Sequence, residues 1–168
     1  MKRQAEDVDE LPEIEGTPPW IVDFVLAEFK KIYAFPQNQF ENPLEAEWEG
    51  FSFAHPPHSD AQLWCEKAAT EAKKGHFSVL LLPLVCNSCY WRDIVYKEAT
   101  EIRIFTCPIK MPGKKKQIVS QMCLVVFAGN EREDPENPYP PLWPIEPTNW
   151  KDAYYIRKRN KAQFASKK

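Results

Sequence analysis

Residues 51–58 read Phe51-Ser52-Phe53-Ala54-His55-Pro56-Pro57-His58, and they carry the clearest indication of the fold. Its first four residues form a short apolar run that predicts a buried strand, and residues 60–74 after it have helical spacing. The Pro-Pro pair fixes two φ angles and removes two N–H donors, so the connection between them is a stiff loop. Because ligands bind at the carboxyl ends of strands in open α/β sheets, we expect His55 and His58 at the rim of a site.

Strand and helix patterns alternate on both sides of this loop. Strands are predicted over residues 77–82, 101–105 and 120–127, and helices over 60–74 and 90–97. A further helix is predicted after Thr17, with Thr17 as its N-cap and Pro18 as its first residue. This order predicts an α/β fold with a mainly parallel sheet, right-handed crossovers and helices on both faces.

The composition divides the chain into three parts. Residues 1–16 are acidic and predicted to be disordered, residues 17–129 form the domain, and residues 130–168 are a Pro-rich arm followed by a basic tail. No apolar run approaches the ~20 residues of a membrane span, and the acidic N-terminus lacks the apolar stretch of a signal peptide. We therefore expect an intracellular protein without a membrane partner. Its odd number of cysteines, five, argues against a disulfide framework.

Several short motifs occur in a fixed order: Thr17-Pro18-Pro19-Trp20, Trp48-Glu49-Gly50, the Pro-Pro loop, Leu80-Leu81-Leu82-Pro83, Tyr90-Trp91-Arg92-Asp93 and Leu124-Val125-Val126-Phe127. Together they resemble the phage-type DNA adenine-N6 methyltransferase family over about two-thirds of the chain. The resemblance implies a methyltransferase-like fold that transfers a methyl group from S-adenosylmethionine to a flipped-out adenine. DNA is the implied partner, with RNA as an alternative.

The resemblance also assigns roles to residues. His55, Pro56, Pro57 and His58 occupy the family's catalytic Asn/Asp-Pro-Pro-Tyr loop, and Thr17 and Pro18 occupy its cofactor-binding segment. A neutral His55 has one acceptor nitrogen for the adenine amine, and His58 could stack on the base. Two departures favour an alternative, a catalytically silent descendant: both variable loop positions are histidine, and residues 32–37 lack the family's acidic residue.

A zinc site belongs to this alternative. Cys86 and Cys89 follow the strand predicted at 77–82, just as His55 and His58 follow the strand predicted at 51–54. If these strands are parallel neighbours, both loops lie at the same edge of the sheet. Two histidines and two cysteines brought together there suit a tetrahedral zinc ion. The competing interpretation is that the cysteines are buried thiols and the histidines are remnants of a base pocket.

Basic residues predict contacts with phosphates. Lys114, Lys115 and Lys116 lie on a predicted turn between strands, where they would suit a nucleic-acid backbone. The basic tail could contact phosphates, act as a nuclear import signal or, with the Pro-rich arm, bind a protein partner. A solvated, frayed helix is the competing interpretation of the tail.

Overall fold

The computed structural model describes residues 13–30, 32, 34–48, 50–112, 118–129 and 140–145. Within these residues the strands are β1 (Phe51–Ala54), β2 (Phe77–Pro83), β3 (Glu101–Phe105), β4 (Ile109–Met111), β5 (Ile118–Ser120), β6 (Met122–Ala128) and β7 (Leu142–Ile145). The helices are α1 (Pro19–Glu28), α2 (Pro36–Gln39), α3 (Ala61–Lys73) and α4 (Tyr96–Glu98), the last of which continues a π-helical segment, Trp91–Val95.

Five strands form one mixed sheet in the order β1-β2-β6-β3-β7. The β1–β2 and β3–β7 pairs are parallel, whereas β6 is antiparallel to both of its neighbours. The α/β class is therefore confirmed, but the prediction of a mainly parallel sheet is not. The reason lies in the connection before β6. For β6 to run parallel to β3, the chain would have to cross back to the end of the sheet where β3 begins, usually through a helix. Here the β4–β5 hairpin lies between β3 and β6 instead.

Both faces of the sheet are covered by helices. Alternate residues of β2 point to opposite faces, so Leu80 and Leu82 pack in one core and Val79 and Leu81 in the other. The first core contains residues of α3 and the π-helical segment, and the second contains residues of α1. As predicted for a strand covered on both faces, residues 78–82 of β2 are all buried.

The Pro-rich arm contributes an edge strand. Strand β7 pairs with β3, and Ile145 is buried beside Phe105 in the second core. Pro144 lies within β7, which fits an edge strand because proline has no N–H to donate to a further neighbour. The described part of the arm thus belongs to the domain's sheet.

The start of α1 differs from the prediction. Pro18, not Thr17, occupies the N-cap position, and no side chain caps the helix. The Thr17 hydroxyl instead bonds to His55. Ile14, upstream of the helix, is buried in the second core.

Some predictions fall outside the described residues: those for residues 1–12, for Lys114, Lys115 and Lys116, and for the basic tail at 151–168. The boundaries drawn at residues 16 and 129 stay predictions. Of the helices in the described ranges, none is both long and apolar enough to cross a membrane.

Candidate functional site

Two loops lie at the edge of the sheet that is formed by the carboxyl ends of β1 and β2. Because β1 and β2 are parallel neighbours, the loop that starts at His55 and the loop that starts at Leu84 both leave carboxyl ends of strands at that edge. The 3₁₀ turn His58–Asp60 and then α3 follow the first loop. Pro57 accepts a hydrogen bond at its carbonyl from the Asp60 N–H, which closes the turn. The structure thus positions the His-Pro-Pro-His loop as the sequence predicted.

Gln37 holds the backbone of His55 from both sides. The His55 N–H donates to Gln37 Oε1 at 2.6 Å, and Gln37 Nε2 donates to the His55 carbonyl, also at 2.6 Å. The carboxamide of Gln37 offers a donor and an acceptor side by side, so it can make both hydrogen bonds at once. Gln37 lies on α2, directly after the segment that bridges to β1 through Ala34 and Ser52. It therefore ties the loop to the elements packed beside it.

Thr17 contacts the His55 ring. Thr17 Oγ1 lies 2.7 Å from His55 Nδ1, and Thr17 is buried. Burial of the imidazole, together with the neighbouring charge of His58, lowers the pKa of His55 from 6.5 to about 4. His55 is therefore neutral at physiological pH and carries one ring N–H and one acceptor nitrogen.

His58 differs from His55 in exposure. Its ring lies 6.5 Å from the His55 ring, centroid to centroid, on the exposed side of the loop. The next loop along the edge exposes Val85, and α3 exposes Leu63 on its first turn. An exposed ring with apolar groups along the same edge is suited to contacting the flat face of a heterocycle.

The four predicted zinc ligands are His55, His58, Cys86 and Cys89. All four are described, and among the described residues no group of three or more His, Cys, Asp or Glu side chains is arranged to hold a metal ion. Cys86 and Cys89 are free and exposed, so the competing interpretation of buried thiols is wrong for them. The zinc site stays a prediction.

A cavity of about 590 Å³ lies beside Thr17. It is lined by residues 13–17, Pro19, Val22 and Pro112, and two of these, Glu13 and Glu15, are acidic. Thr17 belongs both to this cavity and to the contact with His55. Pro18, the other predicted cofactor-binding residue, is buried and does not line the cavity.

Sequence reasoning missed Gln37 and the role of Thr17. Gln37 stands 18 positions and Thr17 stands 38 positions before His55, so no local pattern connects them to the loop. The one available signal was the absence of an acidic residue at positions 32–37, which drew attention to that segment without predicting that Gln37 binds the loop.

Comparison with models of protein families finds no match for this chain, and comparison with curated proteins finds none either.

Proposed function

We propose that the chain is a methyltransferase-type domain that takes a methyl group from S-adenosylmethionine and transfers it to the exocyclic amine of a flipped-out adenine. The observation that carries the proposal is the placement of the His-Pro-Pro-His loop, at the carboxyl edge of two adjacent parallel strands and fixed by Gln37. Ligands of open α/β sheets bind at such edges. The order of motifs that resembles the adenine-N6 methyltransferase family supplies the reaction class.

The cavity beside Thr17 supports a cofactor site next to this loop. Its volume of about 590 Å³ falls within the range of small-molecule sites. The carboxylates of Glu13 and Glu15 on its lining suit a cation such as the sulfonium of S-adenosylmethionine. In the proposed reaction the N–CH3 bond would form as the S–CH3 bond of S-adenosylmethionine breaks, S-adenosylhomocysteine would leave, and the amine nitrogen would release one proton to water.

The loop residues have separate roles in this proposal. His55, partly buried and neutral, meets the edge of the base, and Pro56 and Pro57 keep the loop backbone rigid. His58, which is exposed, stacks on the face of the base. Lys114, Lys115 and Lys116 would contact the phosphates of DNA or RNA.

Methyl transfer from radiolabelled S-adenosylmethionine tests the proposal. The substrates are single- and double-stranded DNA and single-stranded RNA, each with and without adenine. We expect transfer only to adenine-containing strands, and loss of transfer in His55→Ala while its circular dichroism spectrum still shows the wild-type fold. His76→Ala is the matched control, because His76 lies at the opposite edge of the sheet, before β2. Absence of transfer to every adenine-containing strand would overturn the enzymatic proposal for this chain acting alone.

A second candidate is a catalytically silent domain that binds nucleic acid through the same loop. One observation favours it: Thr17, in the predicted cofactor segment, directs its hydroxyl at His55. In this case the wild-type chain transfers no methyl group, yet it binds an adenine-containing oligonucleotide and loses that binding in His55→Ala. The two candidates thus differ in whether the chain transfers a methyl group, and both predict that it binds an adenine-containing strand through His55.

A further inference from the structure

The Thr17 hydroxyl has one hydrogen-bond partner among the described residues, His55 Nδ1 at 2.7 Å. Thr17 is 6% exposed, so its proton is largely withheld from water. If Nδ1 carried a proton and donated it to Thr17 Oγ1, the hydroxyl proton would be buried without an acceptor. A buried donor without a partner destabilises the folded state. The arrangement that satisfies both groups has the Thr17 hydroxyl donating to an unprotonated Nδ1.

The proton of the neutral ring then lies on Nε2. Among the described residues this atom has no hydrogen-bond partner. His55 therefore presents an N–H donor to whatever enters the site. Its acceptor nitrogen is already used by Thr17.

We infer that His55 acts on the proposed adenine substrate as a hydrogen-bond donor to a ring nitrogen beside the amine. This inference rests on the proposed function for the identity of the base. Adenine offers a matching group on either side of its amine, because N7 and N1 are both acceptors. Thr17 is then a positioning residue that selects the Nε2–H tautomer of His55.

The donor form of His55 is tested first in the free protein. Nitrogen chemical shifts of histidine rings distinguish the Nε2–H form from the Nδ1–H form without any ligand. We expect the Nε2–H form for His55 in the wild type and in Thr17→Ser, which keeps the hydroxyl. Thr17→Val should give a mixture of both forms. An Nδ1–H form in the wild type would overturn the inference, and so would a Thr17→Val spectrum identical to the wild type in a folded protein.

The ligand assignment is tested by binding of a single-stranded oligonucleotide with one adenine, in which that base is replaced by 7-deazaadenine or 1-deazaadenine. Each analogue replaces one ring nitrogen by a C–H group and keeps the amine. We expect one of the two analogues to bind about tenfold more weakly than adenine, the loss of one hydrogen bond. His55→Ala should bind that analogue and adenine equally. Equal binding of both analogues and adenine by the wild type would overturn the assignment.

The two tests separate failure of this inference from failure of the proposed function. If the wild type binds no adenine-containing strand, the ligand assignment and the proposed function both fail. The NMR spectrum of the free protein still determines the tautomer of His55 in that case. If adenine binds but neither analogue is weakened, the inference fails and the proposed function stands.

Discussion

At the scale of single residues, His55 is held by hydrogen bonds at three of its groups. Gln37 fixes its backbone N–H and carbonyl, and Thr17 fixes its ring. Such fixing reduces the freedom of a side chain before a ligand arrives, which lowers the entropic cost of binding. These contacts therefore fit a loop that presents His55 in one defined orientation.

The first prediction concerns the pH dependence of stability. The pKa of His55 is 6.5 in a model peptide and about 4 in the folded chain, because the ring is buried and lies near His58. Between these values the unfolded chain binds a proton that the folded chain does not. The free energy of unfolding should therefore fall as pH is lowered from 6.5 to about 4, by no more than about 3 kcal/mol from this residue.

Urea unfolding at several pH values measures this effect. The His55→Gln variant lacks the imidazole and provides the reference, since every other titrating group is unchanged. We expect the wild type to lose more stability than the variant across this pH window and to change in parallel with it below the window. If the free energy of unfolding changes with pH in the same way for the wild type and the variant over the whole range, His55 titrates equally in the folded and unfolded chain.

The second prediction concerns Gln37. Gln37→Glu removes the donor to the His55 carbonyl and places a carboxylate oxygen near that carbonyl. The expected loss in the free energy of unfolding is about 1–3 kcal/mol, the cost of leaving a partly buried polar group without its partner. Gln39→Glu, on an exposed position of the same short helix, should change stability little. Equal urea midpoints for the two variants would contradict the role given to Gln37.

At the scale of elements, α3 carries a buried acid near its C-terminal end. Glu71 is fully buried, and its Oε1 accepts from Lys67 at 2.6 Å and from Lys74 at 3.2 Å. Its Oε2 lies 3.1 Å from His76 Nδ1, close enough for an ion pair although the pair lacks the alignment of a hydrogen bond. Burial alone would raise the pKa of Glu71, but the two ammonium groups bring it below its ordinary value.

The third prediction is that Glu71→Ala destabilises the domain by about 3 kcal/mol, because Lys67 is left largely buried without its counter-charge. Thermal and urea unfolding measure the loss. Glu66→Ala is the matched control on the same helix, since Glu66 is exposed and its carboxylate accepts a hydrogen bond from the exposed Gln62. Its effect should stay within about 0.5 kcal/mol. If the two variants unfold at the same urea concentration, the Glu71 cluster contributes nothing to stability.

At the scale of the whole molecule, the sheet joins distant parts of the sequence. Strand β7 lies beyond residue 129, where the domain was predicted to end, yet it pairs with β3. The Ile102 N–H donates to the Pro141 carbonyl and the Thr106 N–H to the Ile145 carbonyl. The segment around β7 therefore supports the fold, in addition to any partner that the Pro-rich arm binds.

The fourth prediction compares two substitutions on β7. Ile145 is 5% exposed and packs in the second core, so Ile145→Ala should cost about 2–4 kcal/mol in the free energy of unfolding. Leu142 is 60% exposed on the same strand, and Leu142→Ala should cost less than about 1 kcal/mol. The difference between their urea midpoints is the measurement. Similar small losses for both would mean that β7 is dispensable.

Local patterns of the sequence predicted the elements but not the contacts between them. Strands β1 and β3 have the predicted bounds, because each is an apolar or alternating run with punctuation at its ends. The direction of β6 depends on the connection before it, where the β4–β5 hairpin replaces the expected crossover. The contacts of Thr17 and Gln37 with His55 span 38 and 18 positions, and no periodicity reports such pairs.

We expect the sheet edge that bears His55 and His58 to be the one that binds a ligand. Backbone amide NMR spectra recorded with S-adenosylmethionine and with an adenine-containing oligonucleotide test this expectation. We predict that chemical shift changes concentrate at His55, His58 and the loop after β2, and that Gly50, Gly75 and Gly129 at the opposite edge keep their shifts. Changes confined to the opposite edge, or no change with either ligand, would contradict the account.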